Sequence, residues 1–481
     1  MSEKSVIFTF RNFDWAIATS IEIISDQVSK GNFISWAHWT ERLDFPKEFP
    51  IYETLKNIRF KKKVFSSNLL FGLNKGSQEQ LVKFLSIEEV NSEMSKELNV
   101  LSQEGAYLEL ISRRRESAPD KNKHVQTLTR LQNSYIKTYA AAHYSLSQDR
   151  PSFVYLFNGR FLQEKAVADC CKRMKIPVIF FERFNPSWLD KYFLFYESTH
   201  SQKYRSRTML EFFDNTEVNL QQNLIEIGEK WFSDRALGLT QNFTKDQNST
   251  LIRKSSKPFF VFFHSSEDEL ITTDLISPIW SDQISALKSL VSVINSIGTH
   301  DLVIRIHPNL SHKSNDEIDL WNRLAHELTI LYPWIIFLAY DNNVNSYSLI
   351  EMSDGVITVG STIAVEAAFK EKKSILLGRA FHEDMDITLN PKNEAELRNF
   401  LLLTIPSPEI ISRRRNAVKY AAFHALGGIK YSSVEVKRGR RLKYYYDHIN
   451  LSNSDLFALL LKTEILVRKK LGTFTHFIRR K

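Results

Sequence analysis

Two stretches of the sequence end an apolar run with side chains that can bind an anion. The first is DLVIRIHPNLS, residues 301–311, in which apolar residues lead to Arg305, His307 and Pro308. Proline cannot donate to a sheet ladder and disfavours helical geometry in the residue before it, so a strand is expected to stop at His307. In an open parallel sheet, ligands sit at the carboxyl ends of the strands. The alternative is a plain strand end with a surface imidazole.

The second stretch is VITVGSTIAVEAAF, residues 356–369, in which a strand is expected to end at Gly360 and a helix to begin at Ser361 or Thr362. Glycine lets the backbone approach a ligand closely. A Ser or Thr cap presents N–H groups and hydroxyls at the positive end of the helix dipole, which suits phosphate. Glu366 lies one turn further on the same side, where it could accept hydrogen bonds from ribose hydroxyls. The alternative is a routine helix cap with a solvent-facing glutamate.

Together the two stretches predict one crevice that holds a nucleotide phosphate ester. Basic groups, hydroxyls and free amides would converge there from two strand ends. The sequence contains no GxxxxGK[ST] loop, and no GxGxxG follows a strand. ATP hydrolysis and dinucleotide redox chemistry therefore have no positive support.

The elements that must position these residues alternate between strand and helix in both halves of the chain. SFVYLFNGRFLQEKAVADCCKRMKIPVIFFER, residues 152–183, is typical of a βαβ unit, and FFVFF, residues 259–263, begins a second series. The pattern predicts two doubly wound, Rossmann-type α/β domains facing each other across a cleft. We expect an N-terminal domain at residues 1–245, which would hold a second substrate, and a linker at residues 246–258. A C-terminal domain at residues 259–430 would hold the nucleotide, and a basic C-terminal segment spans residues 431–481.

Composition is that of a folded protein in a reducing compartment. The 481 residues are 43% hydrophobic and 25% charged, and the two cysteines, Cys170 and Cys171, are adjacent. Neighbouring cysteines rarely form a bridge, and two thiols alone make no zinc site. The first residues lack a signal-peptide pattern, and no apolar run approaches the roughly 20 residues of a membrane helix. We expect a cytoplasmic protein.

The net charge of +9 lies almost entirely in the C-terminal segment. Residues 431–481 hold 12 Lys and Arg against 4 Asp and Glu, a net charge of +8. SDLFALLLKTEILVRKKLG, residues 454–472, predicts an amphipathic helix. The helix could pack back on the N-terminal domain. It could also hold the protein peripherally at the inner face of the cell membrane, through anionic lipids.

The C-terminal half resembles a group of known enzymes. An Arg/Lys-x-His-Pro strand end, followed about 50 residues later by the DGVITVGSTIAVEA stretch and a strand closing in ILLG, is similar to bacterial capsule and surface-polysaccharide glycosyltransferases of GT-B type. These include capsule β-Kdo transferases, bacterial sialyltransferases and CDP-glycerol polymerases. The resemblance covers about residues 255–380 and is thinner at FNGR and FFER in the first half. It implies that His307, Ser361 and Thr362 contact the donor phosphate, with a CMP- or CDP-linked donor favoured over a UDP-linked one.

The resemblance also implies an acidic base or nucleophile, and several carboxylates are candidates. Glu182 follows an N-terminal strand, and Glu267 and Asp268 follow the first strand of the C-terminal domain, with Asp14 the next candidate. Asn158 and Arg160 lie where an acceptor could bind. EDE is followed by Leu270, so the acidic-acidic-Gly motif of sialyltransferases is absent. No His or Asp cluster has metal spacing, so we expect a nucleotide-sugar co-substrate and no metal or other cofactor.

The expected function is transfer of a sugar from a nucleotide-activated donor to a surface glycan or lipid-linked acceptor, in capsule or lipopolysaccharide assembly. A nucleotide-sugar 2-epimerase of the same architecture is one alternative. A nucleic-acid-binding protein is another, suggested by the positive charge. The basic tail carries no recognised nucleic-acid module, so no nucleic-acid partner is expected.

Overall fold

The structure is a computed structural model that describes most of the chain. The described residues are 3–10, 14–38, 59–60, 92–183, 191–237, 251, 255–273, 277, 279–432, 434–437 and 443–446. They form two compact units. Unit 1 comprises residues 1–102, 130–196 and 428–481, and unit 2 comprises residues 103–129 and 197–427.

Unit 1 contains a six-stranded sheet whose order is β12-β6-β5-β4-β1-β2. Strands β1, β2, β4 and β5 run parallel, whereas β6 pairs antiparallel with β5 and with β12. A further sheet in this unit has the order β13-β14-β3. The strands of unit 1 are β1 Lys4–Thr9, β2 Phe33–His38, β3 Arg59–Phe60, β4 Phe153–Phe157, β5 Val178–Glu182, β6 Lys191–Phe195, β12 Ile429–Lys430, β13 Val434–Lys437 and β14 Lys443–Tyr446.

Unit 2 contains a five-stranded sheet, all parallel, whose order is β11-β10-β7-β8-β9. Its central strand has the sequence FFVFF and is buried along its whole length, as expected for a parallel strand covered on both faces. Alternate residues of this strand enter two different hydrophobic clusters, one on each face of the sheet. The strands are β7 Phe259–Phe263, β8 Asp301–Arg305, β9 Ile335–Leu338, β10 Gly355–Thr358 and β11 Lys373–Leu376.

Helices connect these strands and cover the sheets. The bounds in chain order are α1 Asp14–Ser29, α2 Ser92–Arg114, α3 Val125–Gln148, α4 Leu162–Arg173, α5 Gln202–Asp214, α6 Val218–Ala236, α7 Glu267–Ile271, α8 Gln283–Ile297, α9 Asn315–Leu331, α10 Ser346–Met352, α11 Ile363–Phe369, α12 Glu394–Leu402 and α13 Ser407–Leu426. Short 3-10 helices span Asn122–His124, Pro308–His312 and Glu383–Met385.

Local sequence explains where the helix that supports the site begins and ends. Helix α8 begins after Asp282, whose carboxylate accepts from the Ser285 amide while the Ser285 hydroxyl accepts from the Asp282 amide. This reciprocal capping box satisfies two amides that the helix cannot pair. The helix ends at Gly298, which has a φ of 75°, a left-handed conformation that glycine adopts without strain.

The prediction of two Rossmann-type α/β domains is confirmed, and both are doubly wound. In unit 2 the chain runs from β7 through β8 to β9 on one side, and then places β10 and β11 on the other side. In unit 1 it places β2 on one side of β1 and β4 and β5 on the other. The observed units, however, divide the chain at different points from the expected boundary at residues 246–258.

The difference in boundary arises from two segments. Helices α5 and α6 were expected in the N-terminal domain but belong to unit 2. The reason is close packing: a Cβ added at Gly228 of α6 would lie 2.5 Å from the carbonyl oxygen of Val418 in α13. Residues 103–129, at the end of α2 and the start of α3, also belong to unit 2. Most of the expected linker lies outside the described residues.

The start of the basic tail is strand rather than helix. Strand β12 pairs with β6, and β13 and β14 pair antiparallel with each other. The amphipathic helix expected at residues 454–472 lies outside the described residues. Among the described residues, no helix combines the length and apolar character that crossing a bilayer would require.

Candidate functional site

The chain reverses its direction of winding between β7 and β10 of unit 2. These two strands are neighbours, with Phe263 opposite Thr358 at their carboxyl ends. In doubly wound sheets the crevice outside such a switch point is where ligands bind. The segments that follow β7, β8 and β10 therefore form the candidate site.

A chain of hydroxyl groups joins the segments that follow β7 and β10. The Thr358 hydroxyl donates to the Phe263 carbonyl at 2.9 Å, so Ser265 Oγ must donate to Thr358 Oγ1 across their 3.0 Å contact. Ser265 Oγ in turn accepts from the Gly360 amide at 3.0 Å, and Thr358 Oγ1 accepts from the Ser361 amide at 3.3 Å. These bonds hold the two strand ends in register.

Gln283, the first residue of α8, clamps the segment after β7. Its side chain is fully buried. Its Oε1 accepts from the Ser265 amide at 2.6 Å, and its Nε2 donates to the Ser265 carbonyl at 3.1 Å. The Gln283 backbone amide donates to Glu267 Oε1 at 2.5 Å. The start of α8 thereby fixes both Ser265 and Glu267.

Glu267 is a carboxyl group with an altered proton affinity. Burial raises its pKa from 4.5 to about 7, helped by the nearby carboxylates of Asp282, Glu317 and Asp268 and opposed by the Gln283 amide. A carboxyl group with a pKa near neutrality can both accept and donate a proton under physiological conditions. Glu267 therefore has the properties of a general acid or base.

Two imidazoles stand at the same edge of the sheet. His264 follows β7, and its ring meets Trp321 edge-on at 4.5 Å between centroids. Burial, with His307 and Lys313 nearby, holds the pKa of His264 well below its ordinary value. Burial, with the charges of Lys313 and Arg305, lowers the pKa of His307 to about 4. Both rings are neutral at physiological pH. His307 Nδ1 accepts from the Asn309 amide at 3.0 Å, just after Pro308 begins a 3-10 helix.

Arg305 has a different position from the one expected of a phosphate ligand. Its side chain is 2% exposed, and its guanidinium donates to the Ala339 carbonyl at 2.5 Å and to the Asn342 carbonyl at 2.9 Å. Both acceptors lie in the segment after β9. The group therefore anchors that segment, and its expected contact with the donor stays a prediction.

The turn after β10 also differs from expectation. A Cβ added at Gly360 would lie 2.8 Å from Leu270 Cδ2 and 3.1 Å from the Arg379 carbonyl oxygen, so glycine here permits packing rather than the approach of a ligand. The amides of Gly360 and Ser361 are occupied by the hydroxyls described above. Thr362 is exposed and its side chain does not cap α11, whereas Ser361 Oγ accepts from the Ile363 amide at 3.3 Å. The hydroxyls of Ser361 and Thr362 remain at the carboxyl edge.

Glu366 is buried and was expected to face a ribose. It is 3% exposed and forms an ion pair with Arg235 of α6, with 2.8 Å between Oε1 and the guanidinium nitrogen. The guanidinium of Arg235 also lies over the Trp231 ring, 4.6 Å from its centroid. The pair joins α6 to α11, and the expected contact of Glu366 with a ribose stays a prediction.

The sequence patterns did not single out a group of charged residues around Asp268. Lys313 forms an ion pair with Asp268, and their side chains are 4% and 6% exposed. Arg115 lies 4.0 Å from Asp268 and 3.7 Å from Glu269. The loop that carries Arg115 is fixed by Ser117, whose amide and hydroxyl donate to the Glu317 carboxylate at 3.2 and 3.0 Å.

Only part of this group carried a signal in the sequence. His264 directly follows the apolar run FFVFF, and Lys313 lies within the polar stretch that follows His307. Both positions could have been inferred from the rule that strand ends face ligands. Arg115 could not, since it reaches the site from a helical segment far away in the chain.

The acceptor-side candidates meet at the carboxyl edge of the sheet in unit 1. Asn158 follows β4 with a φ of 54°, and its side-chain amide donates to Glu182 at the end of β5. The Arg183 amide donates to the other oxygen of Glu182 at 2.9 Å. The Arg160 amide donates to Asn158 Oδ1 at 3.2 Å. Glu182 is therefore held through both oxygens. The side chain of Asp14 lies outside the described residues.

Comparisons with known proteins give likenesses in structure alone. No protein-family model and no curated protein matches the sequence. Two solved structures of Thermosulfurimonas dismutans KpsC are similar. One is a β-Kdo 2,7 transferase (14% identity, 57% of this chain and 79% of that chain, TM-score 0.34), and the other is a β-Kdo 2,4 transferase (11% identity, 57% of this chain and 88% of that chain, TM-score 0.35). A UDP-forming trehalose-phosphate synthase from Burkholderia xenovorans is similar at 11% identity, over 88% of this chain and 96% of that chain, with a TM-score of 0.34. Likeness at this level fixes neither an activity nor a substrate for this chain.

Glu267→Gln is expected to stabilise the protein above about pH 7 and to leave it unchanged near pH 4. Between 4.5 and about 7 the raised pKa makes the native state bind more protons than the unfolded state. Stability therefore falls as pH rises through this window, and the amide abolishes that loss. We expect a gain of about 2 kcal/mol at pH 8, measured by urea unfolding at pH 4, 6 and 8.

The matched control is Glu269→Gln, because Glu269 lies in the same short helix and its side chain is 58% exposed. This variant should follow the wild-type curve at all three pH values. A Glu267→Gln difference that stays constant from pH 4 to pH 8 would contradict the assigned ionisation.

Proposed function

We propose that the protein is a glycosyltransferase that moves a sugar from a nucleotide-activated donor to a glycan or lipid-linked acceptor. The observation that carries the proposal is the composition of the switch-point crevice of unit 2. Neutral imidazoles, serine and threonine hydroxyls and a carboxyl group with a raised pKa meet there at one sheet edge. Such a set can bind a phosphate ester and move a proton beside it.

In the proposed donor site, His307, Ser361 and Thr362 contact the donor phosphate. A neutral imidazole donates one hydrogen bond, and the two hydroxyls donate two more, to the charge that grows on the leaving phosphate as the glycosidic bond breaks. Three further residues belong to the proposed site as supports: Arg305 holds the segment after β9, Gly360 allows close packing after β10, and Glu366 joins α11 to α6. A cytidine-linked donor is favoured by the motif resemblance of residues 255–380.

Proton transfer or nucleophilic attack is assigned to one of three carboxylates. Glu267 and Asp268 lie in the donor crevice, whereas Glu182 lies with Asn158 at the sheet edge of unit 1. As a base, the carboxylate removes the proton of the acceptor hydroxyl while that oxygen attacks the anomeric carbon and the nucleotide leaves. As a nucleophile, it bonds to that carbon first and displaces the nucleotide. The acceptor oxygen then attacks the same carbon and displaces the carboxylate. Of the two crevice carboxylates, Glu267 is favoured as the base because its pKa lies near 7.

The proposed acceptor belongs to capsule or lipopolysaccharide assembly at the inner face of the cell membrane. The support is the concentration of positive charge in residues 431–481, which carry a net charge of +8. Basic segments are drawn to anionic leaflets, where each Lys or Arg near the surface contributes about 1 kcal/mol. A lipid-linked glycan would then reach an enzyme held at that surface.

His307→Ala, and Ser361→Ala combined with Thr362→Ala, should each weaken donor use and leave the fold intact. A hydrogen bond to a charged group contributes about 1.5–3 kcal/mol, so losses of roughly tenfold to a few hundredfold are expected. A thermal-shift panel of CMP, CDP, UDP and GDP first identifies the nucleotide, and its affinity for each variant is then measured by titration calorimetry.

His312→Ala is the matched control, since His312 lies exposed on the same 3-10 helix as Pro308. It should bind the nucleotide as the wild type does. Wild-type affinity in both test variants would remove His307, Ser361 and Thr362 from the donor site.

Among Glu182→Gln, Glu267→Gln and Asp268→Asn, one variant should lose turnover by at least about a hundredfold and keep its nucleotide affinity. General acid–base groups contribute about 10²–10⁴ in rate, whereas an amide of the same shape preserves most packing. The assay is acceptor-dependent release of the nucleotide, with Glu327→Gln, at an exposed ion pair with Lys288, as the unaffected control. If all three variants remain active, the base lies elsewhere, and Asp14 is tested next.

Binding to vesicles tests the proposed role of the tail. The full-length protein should co-sediment with vesicles of phosphatidylglycerol more than with vesicles of phosphatidylcholine, and 0.5 M salt should abolish the difference, because salt screens charge attraction. Removal of residues 451–481 is the comparison. Equal partitioning to both vesicles, or partitioning that salt does not change, would leave the tail without this role.

A further inference from the structure

The ion pair between Lys313 and Asp268 is buried at the edge of the donor crevice. Lys313 follows the 3-10 helix after His307, and Asp268 lies in α7 after β7. Their side chains are 4% and 6% exposed. Removing two charges from water costs free energy that their attraction rarely exceeds, so a buried pair is poorly explained by stability alone. A role in binding or catalysis would explain why the chain keeps these two charges buried.

Lys313 provides a positive charge that the two neighbouring imidazoles do not. His264 and His307 are both uncharged at neutral pH, and part of the cause is the charge of Lys313 itself. Arg305 is bound to the carbonyls of Ala339 and Asn342. An anion that enters beside His307 would therefore find a buried positive charge at Lys313.

Arg115 brings a second cation to the same carboxylate at a conformational cost. It follows the last residue of α2 with a φ of 54°, and its amide donates to the Ile111 carbonyl at 2.8 Å. This left-handed position at a helix end usually holds glycine, because a side chain is strained there. The side chain is 39% exposed and lies 4.0 Å from Asp268. The chain thus keeps a guanidinium where a glycine would be more stable.

We propose that Lys313 and Arg115 are the cations that bind the phosphate of the nucleotide donor, with Asp268 as the counter-ion that holds both in place. The inference rests on the proposed function and adds specificity residues to that site. Two cations this close repel each other, and the carboxylate between them removes the repulsion while the site is empty. Asp268 balances one of the two positive charges, and the other is balanced only by Glu269, whose side chain is 58% exposed and lies 3.7 Å from Arg115.

The principal test is the double variant Lys313→Met/Asp268→Asn, which replaces the ion pair by neutral groups of similar size. Lys313→Met alone would leave a buried carboxylate unpaired and could unfold the chain. The probes are CDP with cytidine, UDP with uridine, and inorganic pyrophosphate, each titrated against the full-length protein. The double variant should lose at least tenfold in affinity for the diphosphates and for pyrophosphate, with no change for the nucleosides. Lys288→Met, at an exposed ion pair with Glu327, is the control.

Arg115→Gly separates a binding role from a structural one. Glycine relieves the backbone strain, so the variant should melt at a higher temperature and yet bind the diphosphates three- to tenfold more weakly. Arg114→Gln is the matched control, because Arg114 is the neighbouring residue and is 45% exposed.

The outcomes distinguish this inference from the proposed function. If the wild type binds a nucleoside diphosphate and the double variant binds it equally well, the cationic subsite is wrong and the donor site stands. If the wild type binds pyrophosphate but none of the nucleotides, the subsite stands and the nucleotide donor is wrong. If the wild type binds neither probe, both are wrong.

Discussion

The double hydrogen bond between the Gln283 side chain and the Ser265 main chain is the constraint on which the candidate site depends. It fixes the chain where β7 ends, and the Ser265 hydroxyl then reaches across to Thr358 and Gly360. The same residue offers its own amide to Glu267, which places the carboxyl group of altered pKa. An amide side chain suits this task because it donates and accepts at once and carries no charge into the core.

Most polar groups beneath the crevice already have partners within unit 2. A buried polar group without a partner is costly, so most of those described at the strand ends are paired with a carbonyl, an amide or an opposite charge, with His264 Nδ1 and Arg305 Nε as exceptions. Arg305 and Glu366 illustrate the effect: both are types that bind ligands, and both act instead as anchors between elements. The groups left for a ligand are those at the outer layer, on turns that the anchors hold rigid.

The sequence predicts which segments are strands and helices, and it predicts where the strands end. The parallel strands around FFVFF and the helix Ser346–Met352 could be predicted because their periodicity is local. The identity of each side chain's partner could not be predicted. Arg305 bonds to carbonyls 34 and 37 residues away, and Glu366 pairs with an arginine 131 residues away. Such pairings depend on tertiary packing, for which one sequence carries no local pattern. The same limit applies to Arg115, whose helix gave no indication that its end belongs to unit 2.

The division of the chain into units has a consequence for how the protein is made. Unit 2 needs residues 103–129 as well as 197–427, and unit 1 needs the segment after residue 427. That segment closes unit 1 through strand β12 on β6 and through Tyr431, whose hydroxyl lies 2.6 Å from Thr19 Oγ1. Neither unit is a continuous stretch of chain, so the ribosome cannot release one finished unit before it begins the other. Helix α1 must wait for Tyr431, which follows Thr19 by 412 residues, and strand β6 must wait for β12, whose Ile429 follows its partner Tyr192 by 237 residues. Until then the open edge of β6 is exposed to association with other chains, a period in which a chaperone would protect it.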